Sequence, residues 1–373
     1  MKFVVSKSHL LNALNIVSRA ISPKNPRSIL TGVKLELNKN GLFLTGSDSD
    51  VSIVTKIPLE ENGNNIITVF EPGVTVISCK YILEIVRKLE GEFINLETFD
   101  DSIIKITDHI SNFSLNCMDS KAYPVLDLNV TGNTIRLQTS ELNEIISQTV
   151  FAASDKETRP ILTGVNFKCL GSLLECVATD SYRLAKKVVE VNDAPTFNIT
   201  IPAKTLSEIQ KIIQDQPIVE LSVSDKKVIF KMANTLLSTR VINGMYPDTS
   251  KLVPSSFEYN LQTMAHAFVS SIERASLLSV DRNNIVKLSM SAEKVNLTSN
   301  SQEIGSVVES IQNYRYEGSR LDISFTAKYV TEAIKALGSE EITIGFNGDM
   351  KAFVIRNKED KTALQLVLPV RTY

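Results

Sequence analysis

Three histidines, four cysteines and no apolar run near the roughly 20 residues that span a bilayer set the first limits on this 373-residue chain. His9, His109 and His266 do not cluster with cysteines or carboxylates at ligand-like spacing, which argues against a zinc site. Cys79, Cys117, Cys169 and Cys176 are scattered with no close pair, the pattern of reduced structural thiols in a cytoplasmic protein. No Walker loop, Gly-x-Gly-x-x-Gly fingerprint or Gly-x-Ser-x-Gly elbow occurs. With no acid–base pair in sight, neither catalysis nor a cofactor is expected. Asp48 and Asp50 lack the downstream glutamate of a calcium loop and read as a solvated turn, as does Asp100-Asp101. The start, Met1-Lys2-Phe3-Val4-Val5, reads as a strand and not as a signal peptide. A net charge of −2 does not announce nucleic-acid binding, so any such role depends on where the charges sit.

What is present is a repeat. Ile29-Leu30-Thr31-Gly32-Val33 returns as Ile161-Leu162-Thr163-Gly164-Val165, each copy preceded by an arginine, Arg27 and Arg159. An apolar pair, a glycine hinge and a β-branched residue suit a bend that feeds a strand. The surrounding periodicity repeats too. Leu10, Leu14, Val17 and Ile21 share one helical face, which Pro23 and Pro26 terminate. A second helix carries Ile82, Ile85, Val86 and Leu89, with Ser78 as its N-cap. In the middle of the chain, Leu142, Ile145, Ile146, Thr149 and Ala153 point inward from a third helix, and Leu206, Ile209 and Ile213 from a fourth over 203–214. Leu261, Met264, Ala265, Phe268, Ile272 and Ala275 predict a fifth, and Val330, Ala333, Ile334 and Leu337 a sixth. First helices start near 8, 140 and 262 and second helices near 79, 203 and 327, with Pro124, Pro247 and Pro369 closing each copy. The chain therefore reads as an α+β protein of three similar domains, 1–127, 128–252 and 253–373. In each, two amphipathic helices cover one face of antiparallel sheet.

Charge is unevenly placed. Residues 6–27 carry Lys7, Arg19, Lys24 and Arg27 with no acid. The six helices, taken with the loops that follow the first and third (6–27, 79–90, 139–159, 203–214, 262–274 and 327–338), together carry +5, which leaves −7 on the remainder. A mildly positive helix surface opposite an acidic exterior suits phosphate contact without general stickiness. Solvation of helix faces explains the same lysines equally well.

Several ordered strings resemble the bacterial DNA polymerase III β subunit family of sliding clamps, and the likeness covers the whole chain. They are Met1-Lys2-Phe3, His9-Leu10-Leu11, Arg159-Pro160-Ile161-Leu162-Thr163-Gly164, Ala178-Thr179-Asp180-Ser181-Tyr182-Arg183-Leu184-Ala185, Tyr246-Pro247-Asp248 and the tail Leu368-Pro369-Val370-Arg371-Thr372-Tyr373. Tyr182 stands where many relatives have histidine, and Lys251 where many have arginine.

The resemblance implies a homodimer closed head to tail into a pseudo-six-fold ring that encircles double-stranded DNA, with Phe113 and Leu115 of one chain meeting Leu277 and Leu278 of the other. It implies DNA contact at Lys24 and Lys156. Lys80, Lys204 and Arg274 follow from helix placement. It also implies a cleft between the second and third domains for short peptides of the polymerase III catalytic subunit, the clamp loader, other polymerases and repair proteins. The wall would comprise Leu162, Thr179, Ser181, Tyr182, Arg183 and Leu184, with Pro247, Lys251 and Leu252, and with Val367, Leu368, Pro369, Val370 and Arg371 from the tail. Leucine, valine and proline supply an apolar floor, while Thr179, Arg183 and Arg371 orient a peptide by hydrogen bonds. The competing reading is a three-repeat scaffold that binds peptides without DNA.

Overall fold

The structure, a computed structural model, describes residues 1–129, 132–192, 195–213, 216–279 and 284–371. Gln214, the expected end of the fourth helix, and the tail residues Thr372 and Tyr373 lie outside them. The described residues contain six α-helices: α1 (Lys7–Val17), α2 (Cys79–Lys88), α3 (Thr139–Thr149), α4 (Ala203–Ile212), α5 (Ala265–Ser276) and α6 (Ala327–Leu337). No helix among them is long and apolar enough to cross a membrane. The chain forms two compact units, Met1–Thr139 with Glu208–Val241, and Ser140–Ser207 with Ile242–Tyr373.

Each helix buries the stripe its sequence spacing dictates. In α1 the buried side chains are Leu10, Ala13, Leu14 and Val17, and in α6 Ala327, Val330, Ala333, Ile334 and Leu337. The helices pack in pairs, α1 on α2 and α5 on α6. Every first and second helix follows its strand with no loop between. Strand Lys2–Ser6 runs into α1, Gly73–Ser78 into α2, Phe197–Pro202 into α4 and Leu321–Thr326 into α6. That continuity explains several departures from the sequence reading. Ser78 occupies the N-cap of α2 but its side chain makes no capping hydrogen bond. Leu261 and Met264 belong to strand Tyr259–Met264, not to α5, because an apolar strand feeding an apolar helix face has no boundary in its periodicity. Ile21 is off the α1 face: the helix ends at Val17, a 3₁₀ turn spans Ser18–Ala20, and Ile21 is extended. Ala153 likewise lies beyond α3, after the 3₁₀ turn Val150–Ala152. The sequence reading also passed over strands Ile67–Glu71, Gly73–Ser78, Phe197–Pro202, Tyr314–Glu317 and Leu321–Thr326.

The repeated phrase folds as expected into a bend that feeds a strand. Ser28–Thr31 and Pro160–Thr163 are 3₁₀ turns, and strands Gly32–Asn38 and Gly164–Leu170 start on the glycines. Both glycines have negative φ, so conformational freedom is not what they provide. A Cβ on Gly32 would stand 2.7 Å from Val76 Cγ1, and one on Gly164 2.5 Å from the Ile201 carbonyl oxygen. Glycine is there because the neighbouring strand passes too close for any side chain.

In the first unit a 13-stranded sheet runs from Asn133–Gln138 at one edge to Ile67–Glu71 at the other. Within it, Val51–Ile57 pairs antiparallel with the distant strand Thr235–Arg240. The second unit holds a nine-stranded and a four-stranded sheet. There Arg183–Glu190 pairs with Ala363–Val367 in the corresponding way, Arg183 opposite Val367.

Candidate functional site

The candidate cleft lies wholly in the second unit and is built on one tight turn. Asp180 Oδ1 accepts from the backbone N–H groups of Tyr182 (2.9 Å) and Arg183 (3.0 Å), which closes the turn between Leu173–Thr179 and Arg183–Glu190. Thr179 Oγ1 accepts from Ser181 N–H at 3.1 Å and donates to the Arg183 carbonyl at 2.6 Å. Ser181 is held at φ +80°, a conformation few non-glycine residues adopt. Tyr182 is thereby turned outward and is 58% exposed. The tail is pinned to the same turn, since Leu368 N–H donates to the Tyr182 carbonyl at 2.9 Å.

Beneath the turn, Leu162, Val177, Leu184, Tyr246, Val354 and Leu366 form a buried apolar cluster. The Tyr246 phenol accepts from Thr179 N–H at 3.0 Å, and its burial pushes its pKa up. So the structure brings Leu162, Thr179, Ser181, Tyr182, Arg183, Leu184, Val367 and Leu368 together, with Pro247 next to Tyr246. Val370 is held by its N–H on the Ser324 carbonyl, 2.7 Å, and Pro369 beside it is half-buried. Lys251, Leu252 and Arg371 stand exposed.

Arg183 is engaged within the chain. Its side chain is only 8% exposed and all three of its nitrogens donate within the chain. Nε reaches Asp180 Oδ2 at 3.0 Å, Nη2 the Phe151 carbonyl at 2.5 Å, and Nη1 the Glu332 carboxylate. The guanidinium also lies 4.6 Å from the Tyr329 ring centroid and 5.2 Å from that of Phe151. It is therefore a strut that joins the turn to α6 and to the 3₁₀ turn that follows α3. Phe151, Tyr246, Tyr329 and Glu332 were missed from sequence. Of these only Tyr246 carried a signal, through its pairing with Tyr123 in the Tyr-Pro repeat.

The candidate phosphate-contacting residues differ in availability. Lys24 and Lys156 sit exposed on loops that follow α1 and α3, and neither side chain enters a salt bridge among the described residues. Lys80 lies over the Tyr81 ring at 5.6 Å, and Lys204 is exposed at the start of α4. Arg274 is paired with Glu309, Nη2 to Oε2 at 2.7 Å and Nε at 3.0 Å. That pairing cancels the charge it would present to a phosphate.

Among the described residues, two open strand edges lie beside the candidate interface residues. Residues 112–116 of Asn112–Met118 pair with Ile103–Thr107 on one side, while only Cys117 and Met118 pair on the other, with Ile77 and Val76. Phe113 and Leu115 lie on the same sheet face as the buried Ile106 and Ile104 opposite them, yet Phe113 is 40% exposed. An apolar core face that continues onto an unpaired edge is unusual for a surface strand. In the second unit, Gly305–Ser310 is an edge strand of the four-stranded sheet, and Leu277 at the end of α5 is 77% exposed with Leu278 half-buried.

Strands that run straight into paired helices, recurring along the chain, define an α+β class built from repeated sheet-and-helix units. Family models for the DNA polymerase III beta subunit match in sequence order: its N-terminal domain over residues 1–127, its central domain over 136–248 and its C-terminal domain over 250–371. Aligned along its whole length, the chain is 41% identical to the beta sliding clamp of Bacillus subtilis and 39% identical to that of Staphylococcus epidermidis, each also covered in full. The crystal structure of the Bacillus subtilis DNA polymerase sliding clamp superposes with a TM-score of 0.96 at 41% identity over both full chains. The DNA polymerase III beta chain of Streptococcus pneumoniae gives 0.96 at 32%, again over both full chains. The chain belongs to the DNA polymerase III beta subunit family of sliding clamps.

Proposed function

We propose that two copies of this chain close head to tail into a pseudo-six-fold ring around duplex DNA and tether the replicative polymerase for processive synthesis. The observation that carries this reading is the full-length likeness, through all three repeats, to proteins named as beta sliding clamps. The repeats are taken as domains 1–127, 128–252 and 253–373 of a cytoplasmic, non-catalytic processivity factor that needs no cofactor. Its ring closes where the edge bearing Phe113 and Leu115 on one chain meets the edge near Leu277 and Leu278 on the other. The open backbone groups of residues 112–116 and the uncovered apolar side chains beside them support that assignment.

The mechanism is topological. A site that held DNA through six to ten phosphate contacts would lose roughly 10³–10⁵ in affinity between low and moderate salt. A closed ring escapes this, because release requires opening an interface or reaching a DNA end. Contacts at Lys24, Lys156, Lys80 and Lys204 stay few and weak, so the ring slides, and a net charge of −2 is no obstacle. Arg274, occupied by Glu309, contributes least. Peptides of the polymerase III catalytic subunit, the clamp loader, other polymerases and repair proteins dock in the cleft of Leu162, Thr179 and Leu184, with Tyr182 and Leu368 as its exposed apolar walls. Arg183 holds that cleft's turn in place.

The test is retention after loading. The protein should stay on closed circular DNA through a high-salt wash and leave when the circle is cut. Equal retention on linear and circular DNA refutes the topological mechanism. No retention on either, with peptide binding intact, identifies a scaffold that works without DNA.

A further inference from the structure

The turn that builds the peptide cleft exists twice. In the first unit Asp48 Oδ1 accepts from Asp50 N–H (3.0 Å) and Val51 N–H (2.8 Å), as Asp180 does from Tyr182 and Arg183. Ser47 Oγ accepts from Ser49 N–H at 3.1 Å and donates to the Val51 carbonyl at 3.1 Å, as Thr179 does with Ser181 and Arg183. Ser49 sits at φ +88°, beside +80° for Ser181. Arg240 N–H donates to the Asp50 carbonyl at 3.2 Å, in the place of Leu368 N–H on Tyr182. Tyr123 is buried like Tyr246, and Leu30 lies beneath it as Leu162 does in the other copy.

The frame is the same but the wall chemistry is reversed. Where the second unit presents Tyr182, Leu184, Leu366 and Leu368, the first presents Asp50, Ser52, Ser238 and Arg240. A cleft that had merely lost its ligand would be expected to pack shut. Instead two hollows remain, both lined by the strap at Pro124, Val125 and Leu126. One, of about 280 Å³, is walled by Arg27, Arg240 and serines including Ser52 and Ser238. The other, of about 330 Å³, is walled by Phe43, Val54 and Leu128 on its apolar side and by Thr45, Asn38 and the paired Lys34 and Glu36 on the other. Lys227 is committed to Asp127 at 2.7 Å. Arg27 enters no salt bridge among the described residues, and Arg240 faces Asp50 at a loose 3.5 Å, both side chains more than 70% exposed. Two available guanidiniums beside a hollow with an apolar side, whose one carboxylate, Glu36, is already paired with Lys34, favour a carboxylate and one apolar side chain on a single extended strand.

We propose that this is a second docking cleft, for an extended acidic peptide segment of a partner protein carrying one apolar anchor. The inference borrows from the proposed function only that a frame of this kind accepts an extended peptide.

The experiment uses the full chain and two fluorescein-labelled probes read by anisotropy. One is a short Asp/Glu peptide with a single central leucine, the other a short apolar peptide. The acidic probe should bind wild type, weaken roughly tenfold or more in R27E/R240E, and be unaffected by L368D or by K24E/K156E. The apolar probe should show the opposite dependence on R27E/R240E and L368D. Both arginines are solvent-exposed, so the variant folds, and a melting curve verifies it. No binding of the acidic probe, equal binding to R27E/R240E, or loss in K24E/K156E instead overturns the proposal. Loss of apolar-probe binding everywhere, with the acidic probe behaving as stated, would sink the cleft reading in the second unit and leave this one standing.

Discussion

Replacing Arg183 with alanine tests whether the peptide cleft is held from behind. The change strands three acceptors at once: Asp180 Oδ2, the Phe151 carbonyl and the Glu332 carboxylate. It also removes the cation that stacks between the Tyr329 and Phe151 rings. Breaking a buried ion pair from one side typically costs about 3–5 kcal/mol, because the partner is left buried and unpaired. Here the upper end is out of reach. Glu332 is 35% exposed and retains Lys328 at 3.9 Å, and Asp180 keeps its two backbone donors. A loss of about 3 kcal/mol follows, roughly a hundredfold in the unfolding equilibrium. Urea denaturation with linear extrapolation measures it. Arg240→Ala is the control, since its pair with Asp50 is exposed on both sides and should be worth less than about 1 kcal/mol. Apolar-peptide affinity should fall with Arg183→Ala, because the Asp180–Tyr182 turn loses its anchor to α6. A stability loss under about 1 kcal/mol with undiminished peptide affinity would refute the strut.

Gly164→Ala should destabilise by about 1–3 kcal/mol in a urea titration, because the new Cβ meets the Ile201 carbonyl oxygen at 2.5 Å and that strand has no room to retreat. Asp108 sets a pH dependence. Slight desolvation opposes ionisation, but the backbone N–H groups of Ile110, Ser111, Gly91 and Glu90 outweigh it and hold the carboxyl at about 2. A depressed carboxylate contributes above its unfolded pKa of about 3.9 and loses that contribution as pH falls towards 2. The urea midpoint of wild type should therefore drop towards that of Asp108→Asn over that window, and parallel pH profiles would exclude the effect. Reversing Lys24 and Lys156 to glutamate should slow loading onto circular DNA yet leave apolar-peptide anisotropy unchanged, and unaltered loading removes both lysines from the DNA-contacting set. Phe113→Asp should shift sedimentation towards the monomer at micromolar concentration, since it puts a charge on an apolar open edge, and an unchanged dimer would exclude that edge from ring closure.

Sequence periodicity located all six helices, and the second helices begin at Cys79, Ala203 and Ala327, where the spacing put them. It failed at the strand that enters each of them. Gly73–Ser78 and Leu321–Thr326 run into their helices without a turn residue, so no boundary is written in side-chain chemistry. Backbone geometry settles that boundary, and backbone geometry is what a tandem repeat preserves. The Asp48 and Asp180 turns keep the same acceptors, the same positive φ two residues before the strand resumes, and the same hold on a distant strand. Side chains at the rim have no such constraint, and there Asp50 takes the position of Tyr182 and Ser52 that of Leu184 in the repeat. Arg183 shows the limit of motif reading most clearly. Its string, Thr179-Asp180-Ser181-Tyr182-Arg183, says that an arginine closes the turn but not which way it faces. Its partners Phe151, Tyr329 and Glu332 come from elements that only packing brings near, and Val51 holds its place in the first copy. A repeat therefore identifies the frame of a site from sequence alone. Which copy binds what depends on rim residues that the repeat leaves free to differ, and on buried struts that only one copy has.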